Sequence, residues 1–272
     1  MKGVVIFGYN NGRYDYFDMA VGCAKRVQQH TNLSVTIITD DASRQDRSCD
    51  FEVIIGQAEL GGKRMFNPTY SSETHAWLNA GRYRAWELSP YQETLVLDSD
   101  YVVASDQLLR LFETDHDVLV ARNVYDPTNR DQFRHYQWIG PRMSLHHYWA
   151  TVLFFRRGQL AKDFFDMVTM IRNNYRHYAN IYRFPGSPFR NDFAVSIALN
   201  TLYGHVESAV PHMPWAMCNV ATDVEVEEIA ADNFELRYTV GNDKKPKHVR
   251  ISQDFHCMNK DALMKIYAKN TC

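Results

Sequence analysis

The chain has 272 residues, which suits one large domain or two small ones sharing a core, since a domain takes roughly 100–200 residues. With 45% apolar and 23% charged residues it matches an ordinary globular composition, excluding a disordered chain, a collagen-like repeat and a coiled-coil fibre. The strongest apolar run, Trp149 to Phe155, falls well short of the roughly 18 residues that span a bilayer, and no apolar signal core opens the chain. The expectation is a soluble, cytoplasmic protein.

Five scattered cysteines, Cys23, Cys49, Cys218, Cys257 and Cys272, form no C-x-x-C pair and predict free thiols rather than a zinc knuckle or redox centre. The net charge of −2 hides an asymmetry. Residues 1–121 carry −6 and residues 191–272 carry −3, whereas residues 122–190 hold 11 basic against 4 acidic side chains, a net +7. The middle segment is expected to face something anionic.

Gly3 to Tyr9 is a β-branched and aromatic run ended by Asn10-Asn11-Gly12, and predicts a buried opening strand. A helix should run from Tyr14 to about His30, where Phe17, Ala20, Val21, Ala24 and Val27 recur at helical spacing behind Asp15 and Asp18. Leu33 to Thr39 and Phe51 to Ile55 predict two further strands, followed by a surface loop from Gly56 to Ser72 and a helix from about Ser72 to Leu88. Thr94 to Leu97 and Val118 to Ala121 complete a βαβ rhythm, which implies a mainly parallel sheet covered by helices. Ligands of such sheets bind beyond the carboxyl ends of the strands.

After residue 121 the pattern becomes more irregular, with a strand at Thr151 to Phe155 and helices from Gln159 to about Tyr175 and near Asp192 to Tyr203. It looks like an elaboration on the same sheet, so residues 1–272 are expected to form a single domain. Its first half, 1–121, carries the regular sheet, and 122–272 is expected to face the substrate and close the chain.

Several motifs can be excluded. Gly8 and Gly12 lack the G-x-G-x-x-G spacing of a dinucleotide site, and in Gly56 to Lys63 a glycine, Gly62, holds the position a phosphate loop gives to lysine. Neither H-E-x-x-H nor G-x-S-x-G is present.

Two D-x-D patterns remain. With 21 aspartates, roughly 1.6 such matches arise by chance, so position decides. Asp115-His116-Asp117 precedes a strand, at the wrong end of the sheet. Asp98-Ser99-Asp100 directly follows the Thr94 to Leu97 strand, where residues i and i+2 point the same way toward the crevice. Two convergent carboxylates suit Mn²⁺ or Mg²⁺, which take oxygen ligands and share them with substrate phosphates. Near the carboxyl end, a short strand leads into His256, with Lys260 four residues on. They could supply a nitrogen ligand and an ammonium beside the same diphosphate.

Assembled in this order, the residues resemble the GT-A class of nucleotide-sugar glycosyltransferases, most closely its glycogenin-like and bacterial galactosyltransferase-like branch. The resemblance spans nearly the whole chain through Phe7 to Tyr9, Thr39-Asp40, Arg82 or Arg84, LVLDSD ending at Asp100, Trp149 to Phe155, Asn191-Asp192, and His256 through Lys260. Ala150-Thr151 and Cys257-Met258-Asn259 depart from that branch's usual glycine-containing segments.

The resemblance implies a GT-A fold with Asp98, Asp100 and His256 as metal ligands, and with Lys260 and Arg82 or Arg84 on the diphosphate. Ser99 lies between the ligands, and Phe7, Tyr9 and Asp40 are implied as base or ribose contacts. Asn191 and Asp192 open a helix where Asp192 would stand near the anomeric carbon, with helix capping as its alternative. The branch implies a UDP-sugar donor and retention of configuration.

For the acceptor, Phe133 to Trp138 and His146 to Trp149 interleave aromatics with the basic residues of segment 122–190, a composition suited to phosphates and stacked bases. Transferases of similar appearance occur in bacteriophages, where some glycosylate hydroxymethylated DNA bases. A hydroxymethylated pyrimidine in DNA is therefore the expected acceptor, and the host-cell cytoplasm the setting if the chain is phage-encoded. Against it stand a pI of 6.6, a saccharide acceptor such as lipopolysaccharide or capsule, and a non-catalytic binder on the same scaffold.

Overall fold

A computed structural model describes residues 1–65, 72–140, 145–241 and 243–269. The opening β-branched run forms β1 (Lys2–Phe7), with all but its first residue buried. Helix α1 (Tyr16–Thr31) starts where the Asp15 side chain accepts a hydrogen bond from the Asp18 N–H, and ends at Asn32 in the left-handed region. Three more strands, β2 (Ser34–Thr39), β3 (Glu52–Ile55) and β4 (Glu93–Asp98), pair in parallel in the order β3-β2-β1-β4.

Next come β5 (Tyr101–Val102), β6 (Val118–Ala121), β7 (Val124–Tyr125) and β8 (Trp149–Arg156). Strand β8 inserts antiparallel between β4 and β6 and completes a six-stranded, mostly parallel sheet of order β3-β2-β1-β4-β8-β6. The sheet grows outward in opposite directions from β1 and β4, so a crevice opens at their carboxyl ends, where Phe7 stands opposite Asp98.

Alternation along each strand sorts the core into two. Val4, Ile6, Leu95 and Leu97 face α1, while Val5, Phe7, Val96 and Phe155 face α2 (Gln159–Asn173) and α3 (Asn191–Leu202). Covering on both faces explains why these strands read as continuous apolar runs. The four described cysteines carry free thiols; Cys272 lies outside the described residues.

The rest of the chain builds β9 (Met217–Val220), then an antiparallel meander of β10 (Glu225–Ala230), β11 (Asn233–Val240) and β12 (Asp243–Ile251), then β13 (Phe255–Cys257) and α4 (Lys260–Lys269). A second sheet of order β5-β13-β9-β7 ties the end of the chain to the exit of β4. In it His256 pairs with Tyr101, and the Cys257 N–H donates to the Asp100 carbonyl at 2.9 Å. Helix α4 lies close against α1: a Cβ at Gly22 would come within 2.4 Å of the Tyr267 ring, so only glycine permits that approach.

One sequence expectation is corrected. Instead of a helix over 72–88, His75–Ala76 pairs as a short strand with Lys63–Arg64, followed by a 3₁₀ turn at Ala80–Arg84 and one helical turn at Ala85–Leu88. Gly81 has non-helical dihedrals there, and Asn79 is held by tertiary hydrogen bonds to the Tyr9 N–H and the Asn191 amide, which override helical spacing. The helix expected from Gln159 to about Tyr175 runs over Gln159–Asn173, and a further helix covers Tyr175–Ile181. The short strand expected at His256 is β13; it is separate from β12, which ends at Ile251, and between them Asp254 turns inward to accept from the Ala104 N–H at 2.8 Å.

Among the described residues, no helix is long and apolar enough to cross a membrane.

Candidate active site

Strand β4 delivers Asp98 at its last residue, and the chain turns through Ser99 and Asp100 into β5. Pairing of β5 with β13 then sets His256 beside them. One ligand atom from each of Asp98, Asp100 and His256 lies within 4.8 Å of the others. Their side chains retain only 15%, 9% and 10% exposure, so whatever neutralises the acids works in a poorly hydrated setting.

Cationic neighbours are already in place. Lys260, at the start of α4, donates from Nζ to Asp100 Oδ2 at 2.6 Å, and His256 Nε2 lies 3.4 Å from Asp100 Oδ1. The Arg82 guanidinium rests on the Asp98 carboxylate and also donates to the Ala150 carbonyl. Burial would raise the Asp100 carboxyl pKa, but the Lys260 and His256 charges outweigh it and hold the group well below the usual carboxylate range. Burial likewise opposes the Lys260 charge, yet Asp100 keeps its pKa above the ordinary lysine value. The donor set of two carboxylates and one imidazole fits Mn²⁺ or Mg²⁺, with coordination left for a diphosphate.

The opposite wall comes from α3. Asp192 accepts from the Ala150 N–H through Oδ1 at 2.9 Å, and its Oδ2 lies 3.4 Å from Arg190. Arg190 holds the capping position and makes no side-chain cap, so Asp192 is a buried site carboxylate rather than an N-cap. Burial raises its pKa, while Arg190, His147, the Ala150 N–H and Arg82 pull it below the ordinary value. Asn191 turns away from the acids, its amide donating to the Asn79 carbonyl at 2.9 Å.

A cavity of about 600 Å³ lies between the two walls, lined by Arg82, Asp98, Ser99, Asp100, Asn191, Asp192, His256 and Lys260. A larger groove of about 740 Å³ between α1 and α4 contains no such ligand set, and its Arg26 is paired with Glu228 and Asp232.

Four expected site residues do not border the 600 Å³ cavity. Phe7 and Tyr9 are core side chains at 3% and 1% exposure, and burial lifts the Tyr9 phenol pKa to about 12. Asp40 caps the short helix Asp41–Arg44 through the Ser43 N–H, and Arg84 faces Glu87 at 3.7 Å. The structure thus brings Arg82, not Arg84, to the acids. Conversely, Lys63, Arg64, Trp77, Tyr136 and Arg190 line the cavity without having been singled out as site residues. Alternating charge and aromatics in these stretches was the only signal available.

Five of the ten arginines of the basic segment are consumed by the fold. Arg122 pairs with Glu207, Arg130 with Asp223, Arg156 with Glu93 and Arg172 with Glu59, while Arg157 donates to the Trp86, Ser89 and Tyr91 carbonyls. Arg142 lies outside the described residues.

His147 packs against Trp149 and Phe193 at 2% exposure, and neither ring nitrogen has a partner. Burial lowers its pKa to about 4, partly countered by Asp192. The folded value lies below the unfolded one of about 6.5, so the unfolded chain binds the extra proton between them. Stability is therefore expected to be full above about pH 6.5 and to fall by on the order of 2–3 kcal/mol as pH drops toward 4. Urea titrations across this range should show the slope in wild type and a flatter profile in His147→Phe; equal profiles would refute it.

No family model and no curated protein matches the chain. Among solved structures, the galactosyltransferase LgtC in complex with donor and acceptor sugar analogues is 16% identical over 78% of this chain and 73% of its own, with a TM-score of 0.47. The glycosyltransferase GlyE of Streptococcus pneumoniae TIGR4 is 17% identical over 79% of this chain and 45% of its own, TM-score 0.42. Mouse xyloside xylosyltransferase 1 is 13% identical over 78% and 84%, TM-score 0.44. Similarity at this level carries no argument, and the functional assignment rests on the side chains of the cavity.

Proposed function

We propose that this chain is a metal-dependent glycosyltransferase of GT-A type, moving a sugar from a nucleotide-diphosphate sugar, UDP-linked by preference, to an acceptor hydroxyl. The observation that carries the reading is the convergence of Asp98, Asp100 and His256 within 4.8 Å at the carboxyl edge of a mostly parallel sheet, with Lys260 on Asp100. The chain then acts as one unit, with residues 1–121 on the donor side and 122–272 supplying the acceptor side and the closing segment.

Bound through these three side chains, Mn²⁺ or Mg²⁺ supplies charge to the departing diphosphate. Lys260 and Arg82 add fixed positive charge where negative charge grows, in a site that excludes most water. Asp192, ionised and held by the Ala150 N–H, faces the oxocarbenium-like sugar from the other wall; retention of configuration is what the family resemblance implies. Asn191 fixes the start of α3 against the Asn79 loop. The nucleoside runs along the carboxyl ends of β1 and β2, beside the main chain of Phe7 to Tyr9 and beside Asp40.

The acceptor assigned from segment 122–190 is a hydroxymethylated pyrimidine in DNA, flipped toward Tyr136 at the cavity. A saccharide is the second reading, favoured by the internal pairing of Arg122, Arg130, Arg156 and Arg172. Incubation with Mn²⁺, a panel of nucleotide sugars, hydroxymethylated DNA and oligosaccharides, followed by mass measurement, tests both. Glycosylated DNA formed in a strongly salt-sensitive manner supports the first acceptor and salt-insensitive saccharide transfer the second. A protein that releases no nucleotide with any donor is a binder, and the enzymatic reading fails.

A further inference from the structure

The cavity carries more positive charge than its diphosphate machinery uses. Apart from Arg82 and Lys260, it is lined by Lys63, Arg64 and Arg190. The Arg64 guanidinium lies over the Trp77 ring, 3.5 Å from its centroid, and donates to the Phe189 carbonyl at 2.9 Å, so two contacts restrain it. No carboxylate pairs with it among the described residues. Arg190 lies 5.9 Å from the Tyr136 ring centroid and 5.6 Å from that of Phe193, and its buried Nε has no hydrogen-bond partner. Among the described residues Asp192, at 3.4 Å, is the acid paired with it, and that acid is already held by the Ala150 N–H.

The two guanidiniums repel one another. After burial, Arg190 is the strongest influence on Arg64, whose pKa falls to about 10. Arg64 donates to the carbonyl of Phe189, the residue before Arg190, and Arg190 faces Asp192, so both line the Asp192 wall of the cavity. Two guanidiniums close together with one acid between them, one of them largely withdrawn from water, gain from an oxyanion that bridges them. A guanidinium restrained against an aromatic ring, as Arg64 is on Trp77, offers phosphate a bidentate fork. Three cations against one shared acid suit a phosphate better than a singly charged carboxylate.

We propose that Arg64 and Arg190, with Lys63 at the rim, form a second anion subsite that takes a phosphate carried by the acceptor, distinct from the donor diphosphate site. The assignment rests on the glycosyltransferase reading for the word acceptor, but the subsite itself is testable without turnover. With Mn²⁺ and UDP saturating the donor site, inorganic phosphate should still bind to wild type in calorimetry and bind at least 10-fold more weakly to Arg64→Gln and to Arg190→Gln. Mn²⁺–UDP affinity is measured on each variant in parallel. Absence of phosphate binding to the wild-type Mn²⁺–UDP complex, or equal loss of phosphate and UDP binding in both variants, overturns the subsite. Absence of UDP binding alongside intact phosphate binding instead refutes the donor reading and leaves the anion site standing.

Acceptor assays then identify the source of the phosphate. A hydroxymethylated oligonucleotide, a phosphorylated saccharide and its unphosphorylated form are compared, and Arg64→Gln should raise KM at least 10-fold for a phosphate-bearing acceptor alone. An unphosphorylated saccharide used equally well by wild type, with the same KM in the variant, contradicts the proposal.

Discussion

Asp100→Asn is expected to reduce Mn²⁺-dependent donor cleavage by about 10³-fold in kcat/KM, equivalent to about 4 kcal/mol of lost transition-state stabilisation. Asparagine keeps the shape of the side chain but removes the charge that Lys260 and His256 hold in ionised form. It leaves a buried ammonium without its anion, and breaking a buried pair costs about 3–5 kcal/mol, so a lower melting temperature is expected as well. The double variant Asp100→Asn with Lys260→Met removes both charges and should recover much of that stability without recovering activity. Recovery of turnover along with stability would mean that Asp100 serves the fold alone. Asp98→Asn should show the same catalytic loss, with Arg82 as the cation left behind.

The second large effect is expected at Asp192. An asparagine there can still accept from the Ala150 N–H, so α3 should remain seated, while the ionised group facing the sugar is gone. The expected outcome is a fall in kcat of about 10²–10⁴-fold, with Mn²⁺–UDP affinity within about twofold of wild type. A loss that appears only in UDP affinity would move Asp192 from the sugar to the donor nucleotide. Unchanged kinetics would remove it from the mechanism.

The metal-binding half of this site was legible because its parts are local. An apolar strand ending in Asp98-Ser99-Asp100 specifies the direction of both carboxylates by strand alternation alone, and Lys260 follows His256 at a fixed short interval. What the sequence does not specify is the pairing of Asp100–Val102 with Phe255–Cys257, more than 150 residues apart, which unites those parts. The meander from Glu225 to Ile251 was also missed, although Val226 and the pair Phe234 and Leu236 alternate with polar neighbours in strand fashion.

The second wall was harder to read. The stretch before Leu88 has helical spacing, yet the chain uses it to place Asn79, Trp77 and Arg82 at the cavity, and tertiary hydrogen bonds prevail over propensity. The excess of arginine in 122–190 pointed to a broad anionic partner. Half of those ten guanidiniums instead anchor loops to Glu207, Glu93, Asp223, Glu59 and carbonyl groups, and the pair that shares one acid comes from Arg64, outside the segment, and Arg190 at its end. A one-dimensional charge sum does not separate an arginine that holds the fold from one that awaits a ligand.

The account depends most on one cation being shared by Asp98, Asp100 and His256. Pulsed electron paramagnetic resonance of the protein titrated with Mn²⁺ reports this directly. The account predicts one Mn²⁺ per chain with coupling to a single imidazole nitrogen, lost in His256→Ala. Manganese bound without nitrogen coupling, or coupling that survives that substitution, would contradict it.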